Sequence, residues 1–208
     1  MKRLIALVLL PLFFSCSKPT RFERLSADET GIDFVNEVIE KDSFNILHDE
    51  YMYNGGGVGI ADLDRNGYAD VIFTANKVTP RIYLNKGDFR FEDITSSFEG
   101  LDASQWYSGV SIVDINSDGW PDVYFTSTSS KHPEKRRNKL WVNQGKIEDG
   151  KVAFKEQAAQ HGIADTSYSV HAGFVDYDLD GDLDMYILNN IVNNTVPTNY
   201  RPKITDGT

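Results

Sequence analysis

One nine-residue pattern of aspartate and glycine occurs three times in this chain of 208 residues, and no other feature restricts the fold as tightly. The copies are Asp62-Leu63-Asp64-Arg65-Asn66-Gly67-Tyr68-Ala69-Asp70, Asp114-Ile115-Asn116-Ser117-Asp118-Gly119-Trp120-Pro121-Asp122 and Asp176-Tyr177-Asp178-Leu179-Asp180-Gly181-Asp182-Leu183-Asp184. All follow D-x-[DN]-x-[DN]-G-x-x-D and together hold 11 of the 21 aspartates, so the acidity is concentrated rather than spread over a solvated surface. Repetition of this kind marks a repeat architecture. Carboxylates so close repel one another unless a cation neutralises them. Calcium suits the donor set: it takes about six to eight oxygen ligands in flexible geometry, whereas zinc needs His or Cys and magnesium a strict octahedron.

Side chains at loop positions 1, 3, 5 and 9 converge if each loop wraps an ion. They are Asp62, Asp64, Asn66 and Asp70, then Asp114, Asn116, Asp118 and Asp122, then Asp176, Asp178, Asp180 and Asp184. Position 7 offers a backbone carbonyl, from Tyr68, Trp120 and Asp182. Glycine at position 6 (Gly67, Gly119, Gly181) permits the sharp turn that wrapping demands. About three calcium ions are therefore expected, one for each loop.

An EF-hand begins with the same pattern but needs a bidentate Glu at position 12. Here that position holds Phe73, Phe125 and Ile187. The flanks are β-rich runs, 58–61 and 71–74, 110–113 and 123–126, 174–175 and 185–188, which places each loop in a β-hairpin. Segments 81–87 with 89–94, and 139–145 with 152–156, read as further hairpins around Asn-x-Gly turns. Four strands in each unit, with the loops 52 and 62 residues apart, predict an all-β chain of β-propeller blades.

Net charge of −10 argues against a nucleic-acid partner, and a single cysteine excludes an internal disulfide. Lys2 and Arg3 precede the apolar run 4–14, of signal-peptide length and too short to span a bilayer. Cys16 follows Phe13-Phe14-Ser15, which resembles a bacterial lipobox with a bulky residue where Leu is commoner. Cleavage before Cys16 and its acylation would tether the mature chain, extracytoplasmic, to a bacterial outer membrane or cell surface.

The Gly-rich lead-in Asn54-Gly55-Gly56-Gly57-Val58-Gly59-Ile60-Ala61-Asp62, the Asp-Gly loops and Tyr83-Leu84-Asn85-Lys86-Gly87 resemble FG-GAP/VCBS repeats of integrin-like propellers. Tyr53-Asn54-Gly55-Gly56-Gly57, Ser108-Gly109-Val110 and the run 176–186 are similar to the cartilage acidic protein-like family of bacterial surface lipoproteins. That resemblance implies a longer propeller followed by an ASPIC/UnbV-type domain. The expected organisation is a lipoprotein leader at 1–15, an acylated tether at 16–30 and a repeat region at 31–208, with units near 54–100, 106–160 and 170–208. Because the third unit stops before an outer hairpin, the chain is expected to be part of a longer propeller.

No catalytic constellation emerges. His48, His132, His161 and His171 lack metalloprotease spacing, Ser108-Gly109 lacks a nucleophile elbow, and Gly55-Gly56-Gly57 leads into a strand without the Lys-Ser/Thr of a phosphate loop. The basic run 131–137 reads as a solvated loop, and Tyr51, Tyr53, Trp106, Tyr107 and Trp120 mostly as packing between blades. The resulting expectation is a non-catalytic, calcium-binding surface protein that binds an extracellular protein or glycan. The alternative is the substrate-recognition part of an extracellular polysaccharide-degrading enzyme.

Overall fold

The computed structural model describes residues 22–47, 51–146 and 151–190; the leader, Cys16, His48 and the tail 191–208 lie outside the described residues. A short helix α1 (Ala27–Thr30) is closed by a capping box between Ser26 and Glu29 and ended by Gly31 in the left-handed conformation. Among the described residues the rest of the regular structure is β, apart from two 3-10 turns. No helix among the described residues is long and apolar enough to cross a membrane.

Strands β1 (Val58–Ala61), β2 (Asp70–Phe73), β3 (Arg81–Asn85) and β4 (Phe91–Asp93) form one antiparallel meander. A second contains β5 (Trp106–Val113), β6 (Asp122–Thr128), β7 (Lys139–Lys146) and β8 (Val152–Glu156). The third sheet pairs β9 (Ser169–Val175) with β10 (Asp184–Asn189). Each aspartate loop joins the first two strands of its sheet, as the flanking runs predict. In the second sheet Asn143-Gln144-Gly145 differs from the expected hairpin turn: it is an irregularity inside β7, and the strand continues to Lys146.

Most positions along β5, β6 and β7 of the middle sheet are buried. Side chains alternate between faces, and both faces of this sheet are covered. Val123, Phe125 and Trp141 join Leu63, Ile72, Ile82 and Leu84 of the first sheet in one core. Their neighbours Tyr124, Leu140 and Val142 enter a second core with Ala172, Phe174, Met185 and Ile187 of the third sheet. Sheets stacked face to face through consecutive cores have the packing of propeller blades. Hydrogen bonds from Ser108 Oγ to the Ser169 carbonyl (2.7 Å) and from Thr126 Oγ1 to that of Val170 (2.9 Å) tie the second and third sheets at their inner strands.

The glycine-rich lead-in fits a packing role, since a Cβ on Gly56 would lie 1.9 Å from the Thr74 carbonyl oxygen. Backbone alone fits there. Residues ahead of the first sheet fold onto its outer face. Phe34 stacks on Phe73 at 5.1 Å, and the Tyr83 hydroxyl donates to Asp33 at 2.9 Å.

Candidate metal centre

All three loops share one backbone course. Position 4 is left-handed at Arg65, Ser117 and Leu179, with φ of 54°, 57° and 61°, and position 6 is left-handed at Gly67, Gly119 and Gly181, with φ of 89°, 83° and 99°. The glycines were legible in the pattern; the other three were not, because no residue type marks them. Two left-handed residues two positions apart curl the chain so that its early side chains face inward. The position-1 carboxylate then accepts from the loop's own amides. Asp62 takes the N–H groups of Asn66 (3.0 Å) and Gly67 (2.8 Å), and Asp114 those of Asp118 (3.0 Å) and Gly119 (2.8 Å). Asp176 accepts from Gly181 at 3.2 Å.

Position 9 closes the loop. Asp70 accepts from the amides of Leu63 (2.6 Å) and Asn85 (2.7 Å), and Asp122 from those of Ile115 (2.9 Å) and Asn143 (2.7 Å). Asp184 accepts from Tyr177 at 3.0 Å. Asn85 and Asn143 are the functional residues that the sequence pattern identified only as turn formers. The side-chain amide of Asn85 donates to the Ala69 carbonyl (3.0 Å), and its oxygen accepts from Gly87 (2.9 Å). Asn143 repeats this with Pro121 (3.2 Å) and Gly145 (2.9 Å). The position-7 aromatics cover the same glycines: Tyr68 lies against Gly87 and Trp120 against Gly145, at 3.3 Å and 3.2 Å from where a Cβ would stand. Trp120 is thus committed to packing, and the Arg65 guanidinium lies 5.2 Å from its ring centre.

Carboxylate oxygens of Asp62, Asp64 and Asp70 gather within 4.8 Å of one another, as do those of Asp176, Asp178 and Asp180. In the second loop the amide of Asn116 instead donates to Asp118 at 2.8 Å. The first cluster is the most buried: Asp64 is 7% exposed and Asp70 fully buried. Burial pushes the Asp70 carboxyl up to about 6; the neighbouring Asp64 and Asp62 charges add to this, and the two amide hydrogen bonds oppose it. Asp122 is pushed upward by burial in the same way. Within the cluster, Asp64 Oδ1 is buried with no hydrogen-bond partner, and Asp176 Oδ1 is in the same condition in the third loop. A buried, unpartnered carboxylate oxygen is costly unless a cation meets it. Hard oxygen donors without His or Cys fit calcium.

Other sequence candidates serve the fold. Trp106 and Tyr107 are buried, and Arg136 from the basic run donates to the Thr166 carbonyl (2.8 Å) with its guanidinium 4.1 Å from the Tyr168 ring. Tyr53 donates to Glu40.

Among the described residues the fold is all-β, with two four-stranded antiparallel sheets and a two-stranded third, an arrangement consistent with FG-GAP-type propeller blades. Residues 62–125 match the FG-GAP-like repeat, a segment that runs from the first loop through the second. The chain is similar to cartilage acidic protein 1 of Xenopus tropicalis, at 34% identity over 110 residues, or 52% of this chain and 16% of that protein. It is also similar to a T-cell immunomodulatory protein homolog of Plasmodium yoelii yoelii, at 28% identity over 138 residues, or 62% of this chain and 19% of that protein. The chain therefore spans less than a fifth of the length of either relative.

Proposed function

We propose that this chain is a calcium-dependent, non-catalytic binding module, held outside the cytoplasm by acylation of Cys16, whose blades present a surface to an extracellular protein or glycan. The observation that carries the calcium reading is Asp64 Oδ1, buried without a partner between Asp62 and Asp70. Asp62, Asp64 and Asp70 would hold one ion, and Asp176, Asp178 and Asp180 another. In the second loop Asp114, Asn116, Asp118 and Asp122 are the donors at the same positions. The ion supplies charge neutralisation, and the loops in turn fix the two strands that each of them joins.

Binding confined to the folded loops stabilises the protein by RT ln(1 + [L]/Kd), about 2.7 kcal/mol for one site at a hundredfold excess over Kd. Thermal melts in calcium and in chelator test this. The melting temperature should fall in chelator and recover on adding calcium, and Asp64→Asn should recover less. An identical melt in both conditions would remove calcium from the proposal. Metabolic labelling with a fatty acid tests the anchor, and incorporation should disappear in Cys16→Ser.

A further inference from the structure

The first two loops are joined by a buried hydrogen-bond chain between their closing aspartates. Asp70 Oδ2 accepts from the Leu63 amide at 2.6 Å. The carbonyl of the same Leu63 accepts from Asn143 Nδ2 at 2.9 Å, across the boundary between the first and second sheets. The Asn143 amide donates to Asp122 Oδ1 at 2.7 Å, and Asp122 Oδ2 accepts from Ile115 inside the second loop at 2.9 Å. The Asn143 side-chain oxygen is occupied by the Gly145 amide, which fixes Nδ2 as the donor. Asp70, Leu63, Asn143 and Asp122 are each at most 1% exposed, so water does not compete along the chain. Asn85, at the corresponding position in the first sheet, bonds only within its own sheet.

From this geometry we infer that Asn143 couples the two loops, so that a cation in the first raises the affinity of the second, and the reverse. The inference rests on the calcium reading above. Ordering the first loop fixes the Leu63 backbone on both sides of its Cα, and the Leu63 carbonyl holds the Asn143 side chain. Asn143 in turn positions the Asp122 carboxylate. Energetic coupling must be reciprocal. Direct electrostatics acts with the opposite sign. A filled first loop has three carboxylates against the cation, leaving one negative charge with calcium and none with terbium, whereas an empty loop carrying Asp64→Asn retains two. Charge alone would therefore make the second loop bind a cation more tightly in that variant, while the hydrogen-bond chain makes it bind more weakly.

Terbium titration of the full chain, excited through tryptophan, reads the second loop selectively, because Trp120 is the only tryptophan in any of the three loops. Asp64→Asn should raise the second loop's half-saturation concentration by about fivefold, the low end of ordinary coupling. In an Asn143→Leu background the same substitution should raise it by less than twofold. An unchanged or lowered half-saturation in Asp64→Asn, with terbium still bound, overturns the coupling and leaves the calcium reading standing. Terbium and calcium binding to no loop at all overturns both.

Discussion

Leu63 and Tyr177 hold the same second position in their respective loops, yet Leu63 is fully buried and Tyr177 is 83% exposed. The difference lies in what stands beside each loop. Leu63 projects into the core between the first and second sheets, and Ile115 of the second loop packs against the next core. Tyr177 lies on the far side of the third sheet, where Tyr186 and Leu188 are also open, at 70% and 51% exposure. Leu63→Ala should therefore cost about 2–5 kcal/mol in a denaturant melt. Tyr177→Ala should stay within about 0.5 kcal/mol.

The same open face, with Val175 added, is an apolar patch of the kind that associates. Expressed without residues 1–15, the chain should self-associate in light scattering. A Tyr186→Lys and Leu188→Lys double variant should shift it toward monomer with little change in the melting temperature. Equal association of both proteins would show that this face is not responsible.

Gly55 and Gly56 are adjacent but unequal. Nothing lies within 4 Å of a Cβ on Gly55, whereas one on Gly56 would meet the Thr74 carbonyl at 1.9 Å. Gly55→Ala should be neutral or stabilising by up to about 1 kcal/mol. Gly56→Ala should destabilise by about 3 kcal/mol or more, because it is backbone that must move. Chemical denaturation of the two variants measures the difference.

Strand positions, the hairpin setting of each loop and the glycine turns were legible because each leaves a local mark: an apolar run, an Asp-Gly pair, a failed position 12. What was not legible depends on contacts between distant residues. Asn143 and Leu63 are 80 positions apart, and only the stacking of two sheets brings them together. Trp120 reads in the sequence mostly as a packing residue, but its partners Gly145 and Arg65 come from distant segments and only the structure identifies them. The left-handed residues at position 4 were hidden by ordinary side chains. There, Leu179→Gly should be tolerated, and Leu179→Ile should cost about 1–2 kcal/mol, since a β-branched residue resists that backbone region.

Acid dependence should change sign with metal. Without metal, Asp70 titrates at about 6 when folded against an ordinary 3.8, so the folded protein holds this proton more tightly than the unfolded chain. Its contribution to stability is complete below about pH 3.8 and is lost as pH rises through about 6. Asp122 is displaced in the same direction. In chelator, stability should fall over this range, and Asp70→Asn should flatten the fall. Calcium replaces the proton, so in calcium stability should instead rise over the same range. Urea unfolding at several pH values, with and without calcium, checks both signs.

The most direct measurement is anomalous diffraction from crystals grown in calcium, at a wavelength that distinguishes calcium from water. A peak should stand among Asp62, Asp64 and Asp70 with Asp64 Oδ1 about 2.3–2.6 Å away, and further peaks should stand in the second and third loops. Density at water level in all three loops, with Asp64 Oδ1 still lacking a partner at saturating calcium, would contradict the assignment of these loops as calcium sites.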